Sequence, residues 1–343
     1  IQKQLFNTIY QLMAVKQQHQ EYLKQAKTFL MLPDYFHFLL TGEKRSEYTN
    51  ATSTQLVNAE TKDWDDEVIS RLGYPREMFL PLSQPGTQVG VFTKEIEKEV
   101  GFSCQVVLPA THDTASAVMA VPCQEDNCLY ISSGTWSLMG TENKKAICTE
   151  ESRQKNFTNE GGYDFRYRYL KNIMGLWMIQ SVRHEEKDQY SFAQLCEMAD
   201  ECSDFPSRVF VNAQEFLAPE SMTEAVRQYC EKSGQRVPET TGELAAVIYQ
   251  SLAKCYGEIV QEIEQLTGEY YDTIHIVGGG ANADYLNRLT ASQSGRQVLA
   301  GPSEATAIGN LMAQMIGKGE FARLMQARAC VAESFPIREY QKG

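Results

Sequence analysis

The sequence lacks any long hydrophobic run and any excess of positive charge. No apolar stretch approaches the ~18–20 residues that span a bilayer. The formal net charge is −12, because 44 Asp and Glu outnumber 32 Lys and Arg. A nucleic-acid partner requires a basic surface on the protein. The composition therefore argues against both a membrane span and a nucleic-acid partner.

The cysteines lack the spacing of a metal site or of a disulfide framework. The chain has 9 Cys, an odd number, and no Cys-x-x-Cys pair. Most of them lie in apolar stretches, which is typical of buried thiols in a reducing compartment. We therefore predict a cytoplasmic protein without metal-cluster chemistry.

The familiar nucleotide motifs are also missing, although one glycine run stands in a suitable place. No Gly-Lys-Ser/Thr follows a glycine loop, and no Gly-x-Gly-x-x-Gly occurs in the run. A predicted strand at 273–277 instead leads into Gly278, Gly279 and Gly280, with Asn282 two residues on. Glycines after a buried strand let a flat ligand or a phosphate approach the backbone. The alternative is a simple tight turn.

A single carboxylate stands where a second predicted strand meets a helix. Residues 106–108 read as the strand, and a helix is predicted over 113–121, with His112 and Asp113 at the junction. An Asp near a phosphate-binding loop is typical of phosphoryl transfer to an alcohol, in which the Asp accepts the hydroxyl proton. The alternative is that Asp113 only caps the helix.

Other patterns predict the scaffold around these two motifs. The spacing predicts helical structure over residues 1–42, with the aromatic side chains at 35, 36 and 38 packed in the core. The polar run 47–54 is either a surface loop or one wall of a ligand cleft. Further expectations are a helix opened by Asp63, a hairpin of 129–132 with 136–140, an irregular region over 188–238 and a long helix over 244–266.

Six motifs, taken together and in order, resemble the FGGY family of carbohydrate kinases along nearly the whole chain. They lie at residues 32–36, 47–52, 112–118, 132–140, 170–177 and 276–280. The resemblance implies an α/β fold of two actin-like (ribonuclease-H-like) domains with a cleft between them. It implies a sugar-binding domain over 1–119, which includes the catalytic Asp, and a nucleotide-binding domain over 120–343.

Residue by residue, the resemblance makes Asp113 the catalytic base. It places His112, Thr114 and Asn172 against the sugar. The nucleotide would be bound by the residues that match the family's second domain. These are Thr135, Gln180, Gly278, Gly279, Gly280 and Asn282.

The reaction implied is transfer of the ATP γ-phosphoryl group, with Mg²⁺, to the C1 hydroxyl of L-rhamnulose in rhamnose breakdown. Other ketoses or polyols, such as L-fuculose and xylulose, remain alternatives, as does a non-catalytic actin-like nucleotide-binding module. The family's Asp-x-Gly phosphate hairpin has no match in the 343 residues. We therefore expect a segment of the first domain, which would be incomplete here, to precede Ile1.

Overall fold

The computed structural model describes residues 7–343, which form two compact units interleaved along the chain. Unit 1 comprises Ile1–Ala120, Glu142–Tyr169 and Thr306–Cys330, and unit 2 comprises Val121–Thr141, Leu170–Ala305 and Val331–Gly343. The helical pattern predicted for residues 1–6 lies outside the described residues. The predicted division after residue 119 stays a prediction.

Residues 7–343 contain fifteen α-helices. They are α1 Thr8–Gln18, α2 Gln20–Gln25, α3 Leu32–Thr41, α4 Tyr48–Ala51, α5 Asp66–Leu72, α6 Lys94–Val100, α7 Asp113–Met119, α8 Glu150–Gln154, α9 Trp177–Glu185, α10 Phe192–Glu201, α11 Met222–Lys232, α12 Thr241–Thr267, α13 Asp284–Ser294, α14 Ala305–Lys318 and α15 Leu324–Ser334. None of these helices is both long enough and apolar enough to cross a membrane.

Eleven strands accompany the helices in the described part of the chain. They are β1 Ser46–Glu47, β2 Leu82–Ser83, β3 Gln88–Val91, β4 Gln105–Val107, β5 Leu129–Ser133, β6 Ser137–Asn143, β7 Thr158–Gly161, β8 Tyr167–Ile173, β9 Thr273–Val277, β10 Gln297–Ala300 and β11 Arg338–Tyr340. Strand β1 pairs with β2 in parallel, and β3 pairs with β4 antiparallel. The largest sheet has the order β11-β10-β9-β5-β6-β8-β7.

In unit 2, strands β5, β9 and β10 of this sheet and the long helix α12 form the scaffold. Strand β5 pairs in parallel with β9 and antiparallel with β6, so the predicted hairpin is confirmed. Helix α12 begins at a capping box of Thr240 and Glu243 and ends before Gly268, which adopts a positive φ. Its apolar side chains are buried along almost the whole length of the helix. The predicted long helix is therefore confirmed.

In unit 1, the polar run 47–54 is not a surface loop. It forms β1, the single-turn helix α4 and a 3₁₀ turn, and Glu47, Tyr48, Thr49 and Thr54 are all fully buried. Its hydroxyl groups form hydrogen bonds within the run itself, since Thr52 and Thr54 each donate to the carbonyl three residues earlier. A run of short polar residues can thus pack in a core when each finds a local partner.

The predicted core role of the aromatic residues in α3 is wrong for two of them. Tyr35 is 44% exposed and Phe36 is 55% exposed, whereas Asp34 on the same helix is buried. The helix itself forms as predicted and ends at Gly42 in a left-handed conformation. Helical spacing of apolar residues does not identify the buried face of this short helix, because the residue buried there is the carboxylic acid Asp34.

Three further expectations need correction. Helix α5 starts at Asp66, with Asp65 as its cap, and not at Asp63. Residues 188–238 contain α10 and α11 and are not simply irregular. Cys123 and Cys128 form a disulfide, and Cys104, Cys148 and Cys330 are exposed thiols. Two cysteines five residues apart are not a recognised disulfide motif. The pairing therefore could not be predicted from the spacing, and it becomes visible only in the structure.

The turn before α9 depends on one glycine. Gly175 has φ +61°, and a Cβ built there would lie 2.5 Å from the carbonyl carbon of Trp136. We expect Gly175→Ala to lower the free energy of unfolding by roughly 3 kcal/mol, because strain and overlap add. Gly268→Ala is the matched control: its φ is +73°, and no atom of the described residues lies within 4 Å of the added Cβ. Denaturant unfolding that gave equal losses for both variants would contradict the overlap.

Candidate functional site

In unit 1, Asp113 is the first residue of α7, after a short loop that follows the end of β4 at Val107. The helix behind it is anchored in the unit, because its residues Thr114–Met119 are all buried. The Ser116 hydroxyl also donates to the carbonyl of Ala110 at 2.7 Å, which links the helix to the segment that precedes it. The junction predicted from the sequence is therefore present, and the helix ends two residues earlier than expected.

The Asp113 carboxylate is held at one oxygen and is otherwise open to solvent. Its Oδ1 accepts the backbone N–H of Thr114 at 2.6 Å and lies 3.3 Å from the Thr114 hydroxyl. The side chain is 82% exposed. An oriented, accessible carboxylate can approach the hydroxyl of a bound ligand and accept its proton.

His112 lies between this carboxylate and a second one. Its Nδ1 is 3.6 Å from Asp113 Oδ1, and its Nε2 is 3.7 Å from Glu160 Oε2. Its backbone N–H donates to the hydroxyl of Thr49 at 3.3 Å. Burial lowers the pKa of His112, and the cationic Arg168 lowers it further, while the two carboxylates oppose both effects. The balance favours a neutral imidazole.

Glu160 and Arg168 form a buried ion pair behind His112. Arg168 is fully buried, and its Nη1 lies 3.1 Å from Glu160 Oε2. Its Nε and Nη2 both donate to the carbonyl of Gly161 at 3.1 Å. A buried guanidinium needs a carboxylate nearby, so the pair fixes the position of Glu160.

Glu47 connects the 47–54 segment to the chain just before Asp113. This fully buried carboxylate accepts hydrogen bonds from the backbone and hydroxyl of Thr49, from the backbone of Asn50 and from both groups of Thr111. The five distances lie between 2.6 and 3.1 Å. Burial raises the pKa of Glu47, and the hydrogen bonds oppose that rise.

Asp34 is a second buried carboxyl group beside Glu47. Its Oδ1 accepts the backbone N–H of Glu47 at 3.2 Å. Burial, and then the negative charge of Glu47, raise the pKa of Asp34 to about 7. At neutral pH, Asp34 is therefore partly protonated while Glu47 carries the hydrogen-bonded negative charge.

In unit 2, the turn between β5 and β6 packs against the start of α9. The backbone N–H of Trp177 donates to the carbonyl of Thr135 at 2.9 Å, and that of Leu176 donates to the carbonyl of Gly134 at 3.2 Å. Thr135 is exposed, and Gln180, one turn into the helix, is half-buried. The structure therefore places Thr135 and Gln180 on two directly connected elements.

The glycine run Gly278–Gly280 packs against Ser133, the last residue of β5. After β9 the chain forms a 3₁₀ turn, Gly279–Asn282. A Cβ on Gly280 would lie 2.5 Å from the Cβ of Ser133, so this position has no room for a side chain. At Gly279, by contrast, an added Cβ would meet no atom of residues 7–343 within 4 Å, so its Cα faces open space. A planar ligand can approach the backbone there.

Two other predicted residues of unit 2 already have partners. The exposed Asn282 accepts a hydrogen bond at its Oδ1 from Arg338 Nη2 at 2.6 Å. Asn172, near the end of β8, is half-buried and also has an interaction partner. Unit 2 thus brings together the turn at Thr135 and the glycine run.

The residues present fit ATP better than a resident metal ion. The open Cα of Gly279 leaves space for a planar nucleotide, and exposed hydroxyl and amide groups lie on neighbouring elements. Within residues 7–343, no three His, Cys, Asp or Glu side chains cluster in a way that could hold a metal.

Sequence comparison assigns the chain to a class of enzymes. Residues 1–120 match the N-terminal domain of the FGGY family of carbohydrate kinases, and residues 129–317 match its C-terminal domain. The chain belongs to this family.

Among individual proteins, the chain is similar to several rhamnulokinases. It is 51% identical over 340 residues to the rhamnulokinase of Halalkalibacterium halodurans, a match that covers 99% of this chain and 72% of the relative. It is 43% identical over 341 residues to that of Bacillus subtilis, with 99% and 70% covered. The chain thus spans about 72% of the length of the first of these relatives.

Solved structures show the same fold at low identity. The gluconate kinase of Lactobacillus acidophilus matches with a TM-score of 0.75 at 16% identity, covering 100% of this chain and 69% of that one. The glycerol kinase of Plasmodium falciparum with ADP matches with a TM-score of 0.74 at 12% identity, covering 97% and 67%. These matches confirm the predicted two-domain, actin-like fold class.

Sequence reasoning missed four residues of the unit 1 site. Glu47 and Glu160 contact Thr111 and His112 from distant parts of the chain, and Asp34 and Arg168 contact Glu47 and Glu160, respectively. A signal exists for Glu47, because it opens the polar run for which a cleft wall is one of the two interpretations. The remaining three stand among ordinary helix and strand residues and carry no local signal.

Asp34 makes stability depend on pH in a direction that can be tested. A carboxyl whose pKa is raised in the folded state stabilises fully below its unfolded pKa and loses that stability as pH rises through about 7. Asp34→Asn cannot ionise and keeps an acceptor for the Glu47 N–H. We expect it to stabilise the protein at pH 8 by roughly 1–3 kcal/mol and to have little effect at pH 4.5.

The measurement is thermal unfolding at the two pH values. Asp204→Asn, at an exposed position, is the control and should change neither melting temperature. A stability change of Asp34→Asn that is the same at both pH values would show that Asp34 does not titrate in this range.

Proposed function

We propose that the protein transfers the γ-phosphoryl group of ATP to the C1 hydroxyl of L-rhamnulose, which yields L-rhamnulose 1-phosphate and ADP in rhamnose breakdown. As a member of the FGGY family, the chain is an ATP-dependent carbohydrate kinase. Its 51% identity to a rhamnulokinase supports the choice of sugar. The observation that carries the chemistry is the exposed, oriented carboxylate of Asp113.

Asp113 acts as the general base in this proposal. As the C1 oxygen bonds to the γ-phosphorus, the bond to the β-phosphate oxygen breaks, and the hydroxyl proton passes to the Asp113 carboxylate. A base of this kind contributes about 10²–10⁴-fold to the rate. Positioning of the two substrates and stabilisation of the phosphoryl charge supply much of the rest.

The sugar is proposed to contact residues around this base. His112 and Thr114 flank Asp113 directly, and Thr114 also fixes one carboxylate oxygen. Asn172 is a further proposed sugar contact, through its side-chain amide. Hydroxyl, amide and imidazole groups suit a ketose, which offers many hydroxyls and no charge.

The nucleotide is proposed to bind in unit 2. Thr135 and Gln180 would contact the phosphates or the ribose from two connected elements. The glycine run Gly278–Gly280 and Asn282 would line the adenosine pocket, where Gly279 leaves the backbone accessible. Mg²⁺ would arrive with ATP and neutralise phosphate charge.

The proposed domain roles follow the same division. Residues 1–119 would carry the sugar-binding function and the base, and residues 120–343 the nucleotide-binding function. We place the enzyme in the cytoplasm, where ATP is available as the phosphoryl donor.

A substrate screen tests the proposal against its alternatives. ADP release is measured with ATP and Mg²⁺ against a panel of ketoses and polyols that includes L-rhamnulose, L-fuculose and xylulose. We expect the highest kcat/KM for L-rhamnulose. A higher value for another sugar would assign a different kinase, and an ATPase rate unaffected by every sugar would favour a nucleotide-binding module.

Asp113→Asn isolates the base, since it keeps the shape of the side chain and removes its basicity. Its Oδ1 can still accept the Thr114 N–H, so we expect an unchanged melting temperature and near-normal sugar and ATP affinities. kcat should fall by roughly 10²-fold or more. The variant is compared with Asp204→Asn, an exposed substitution in unit 2. Retention of more than about a tenth of kcat would rule out the base role.

Gly279→Val tests the placement of the nucleotide. The new side chain meets no atom of the described residues near its Cβ, so we expect little loss of stability. It would fill the space proposed for the nucleotide, and ATP should bind roughly 10-fold more weakly or worse while the ketose affinity is kept. Calorimetric titration with each ligand gives both values. Equal weakening of both ligands at an unchanged melting temperature would refute this placement.

A further inference from the structure

The imidazole of His112 faces a carboxylate on each side. Asp113 Oδ1 lies 3.6 Å from Nδ1, and Glu160 Oε2 lies 3.7 Å from Nε2. A neutral imidazole carries one N–H and one lone pair. Both distances are longer than a hydrogen bond, but the single N–H can point toward only one of the two carboxylates, and the lone pair then points toward the other. Which carboxylate faces the proton decides the electrostatic environment of Asp113.

The two carboxylates differ greatly in their access to water. Asp113 is 82% exposed, whereas Glu160 is 13% exposed. Water can solvate the Asp113 carboxylate, but a buried Glu160 oxygen must be satisfied by the protein. Glu160 Oε2 has no hydrogen bond within the described residues, although Arg168 lies 3.1 Å from it. An imidazole N–H that points toward Glu160 is therefore more stabilising than one that points toward Asp113.

The surrounding groups favour a neutral imidazole ring. The charged groups that face His112 are Asp113 on its own segment, Glu160 on β7 and Arg168 on β8. Thr49 adds only a hydroxyl, which accepts the backbone N–H. Burial and Arg168 disfavour the imidazolium, and the buried guanidinium of Arg168 lies 3.1 Å from Glu160 Oε2.

We propose that Glu160 is a positioning residue that holds His112 with its proton on Nε2, so that the Nδ1 lone pair faces Asp113. This inference rests on the proposed role of Asp113 as the base. A lone pair beside a carboxylate disfavours its ionised form and accepts a hydrogen bond from its protonated form. When Asp113 takes the C1 hydroxyl proton, its new O–H donates to Nδ1. The proton then leaves to water, because Asp113 is exposed.

A matched pair of variants separates this role from a structural one. Glu160→Gln and Glu160→Met both remove the negative charge beside Arg168 and have similar volumes, but only Gln retains an oxygen that can accept the Nε2 proton. Glu67→Gln, at an exposed position of unit 1, is the surface control and should behave as wild type.

The direct readout is the protonation state of each ring nitrogen. The chain has only 5 His, so ¹⁵N-histidine labelling gives a simple long-range ¹H–¹⁵N spectrum, and loss of one signal in His112→Gln assigns His112. At pH 7.5 we expect the proton on Nε2 in the wild type and in Glu160→Gln, and on Nδ1 in Glu160→Met. A wild-type imidazolium or an Nδ1 proton overturns the proposal, even if neither variant folds.

Kinetics supply the second readout. We expect kcat of Glu160→Met to fall roughly 10-fold with the ketose KM changed less than about 3-fold, and Glu160→Gln to keep most of kcat. The acid limb of the kcat/KM profile should move to lower pH in Glu160→Met, because an Nδ1–H favours ionised Asp113. Equal kcat and equal pH profiles for the two variants contradict the proposal. Full turnover of Asp113→Asn refutes the base instead and leaves the tautomer result standing.

Discussion

The buried carboxylate of Glu47 is the contact on which the unit 1 site depends most. It accepts five hydrogen bonds, three from the turn that follows it and two from Thr111, and so joins segments 64 residues apart in sequence. Hydrogen bonds to a charged acceptor are about twice as strong as neutral ones, and more so away from water. The start of α7, and with it Asp113, is thereby fixed in position without restricting the exposed carboxylate itself.

Burying such a charge has a consequence for its neighbours. Asp34 supplies no charge compensation to Glu47; it shares the same pocket and stays partly protonated near neutral pH. Behind His112, by contrast, the carboxylate of Glu160 does have a compensating charge, because the Arg168 guanidinium lies beside it. Two carboxylates, Glu47 held by donors and Glu160 by a cation, therefore contact the two residues that precede the exposed Asp113. This contrast separates the structural acids from the acid available to a substrate.

Much of the fold could be predicted from local pattern. The capping box and glycine stop of α12, the strand before the glycine run and the strand–helix junction at Asp113 all depend on residues close in sequence. Predictions failed where distant contacts decide. In α3 the buried face carries Asp34 while Tyr35 and Phe36 face outward, and the hydroxyls of 47–54 form hydrogen bonds with Glu47 and neighbouring carbonyls. The Glu160–Arg168 pair is likewise invisible until β7 and β8 are placed.

The proposed reaction transfers a phosphoryl group to one particular hydroxyl of one ketose. Its most direct test uses L-rhamnulose labelled with ¹³C at C1, together with ATP and Mg²⁺, and follows the product by ³¹P and ¹³C NMR. We expect a new phosphomonoester signal whose phosphorus couples to the labelled carbon, in step with ADP formation. A phosphate attached to another carbon, or ADP formed with inorganic phosphate and unchanged sugar, would contradict it.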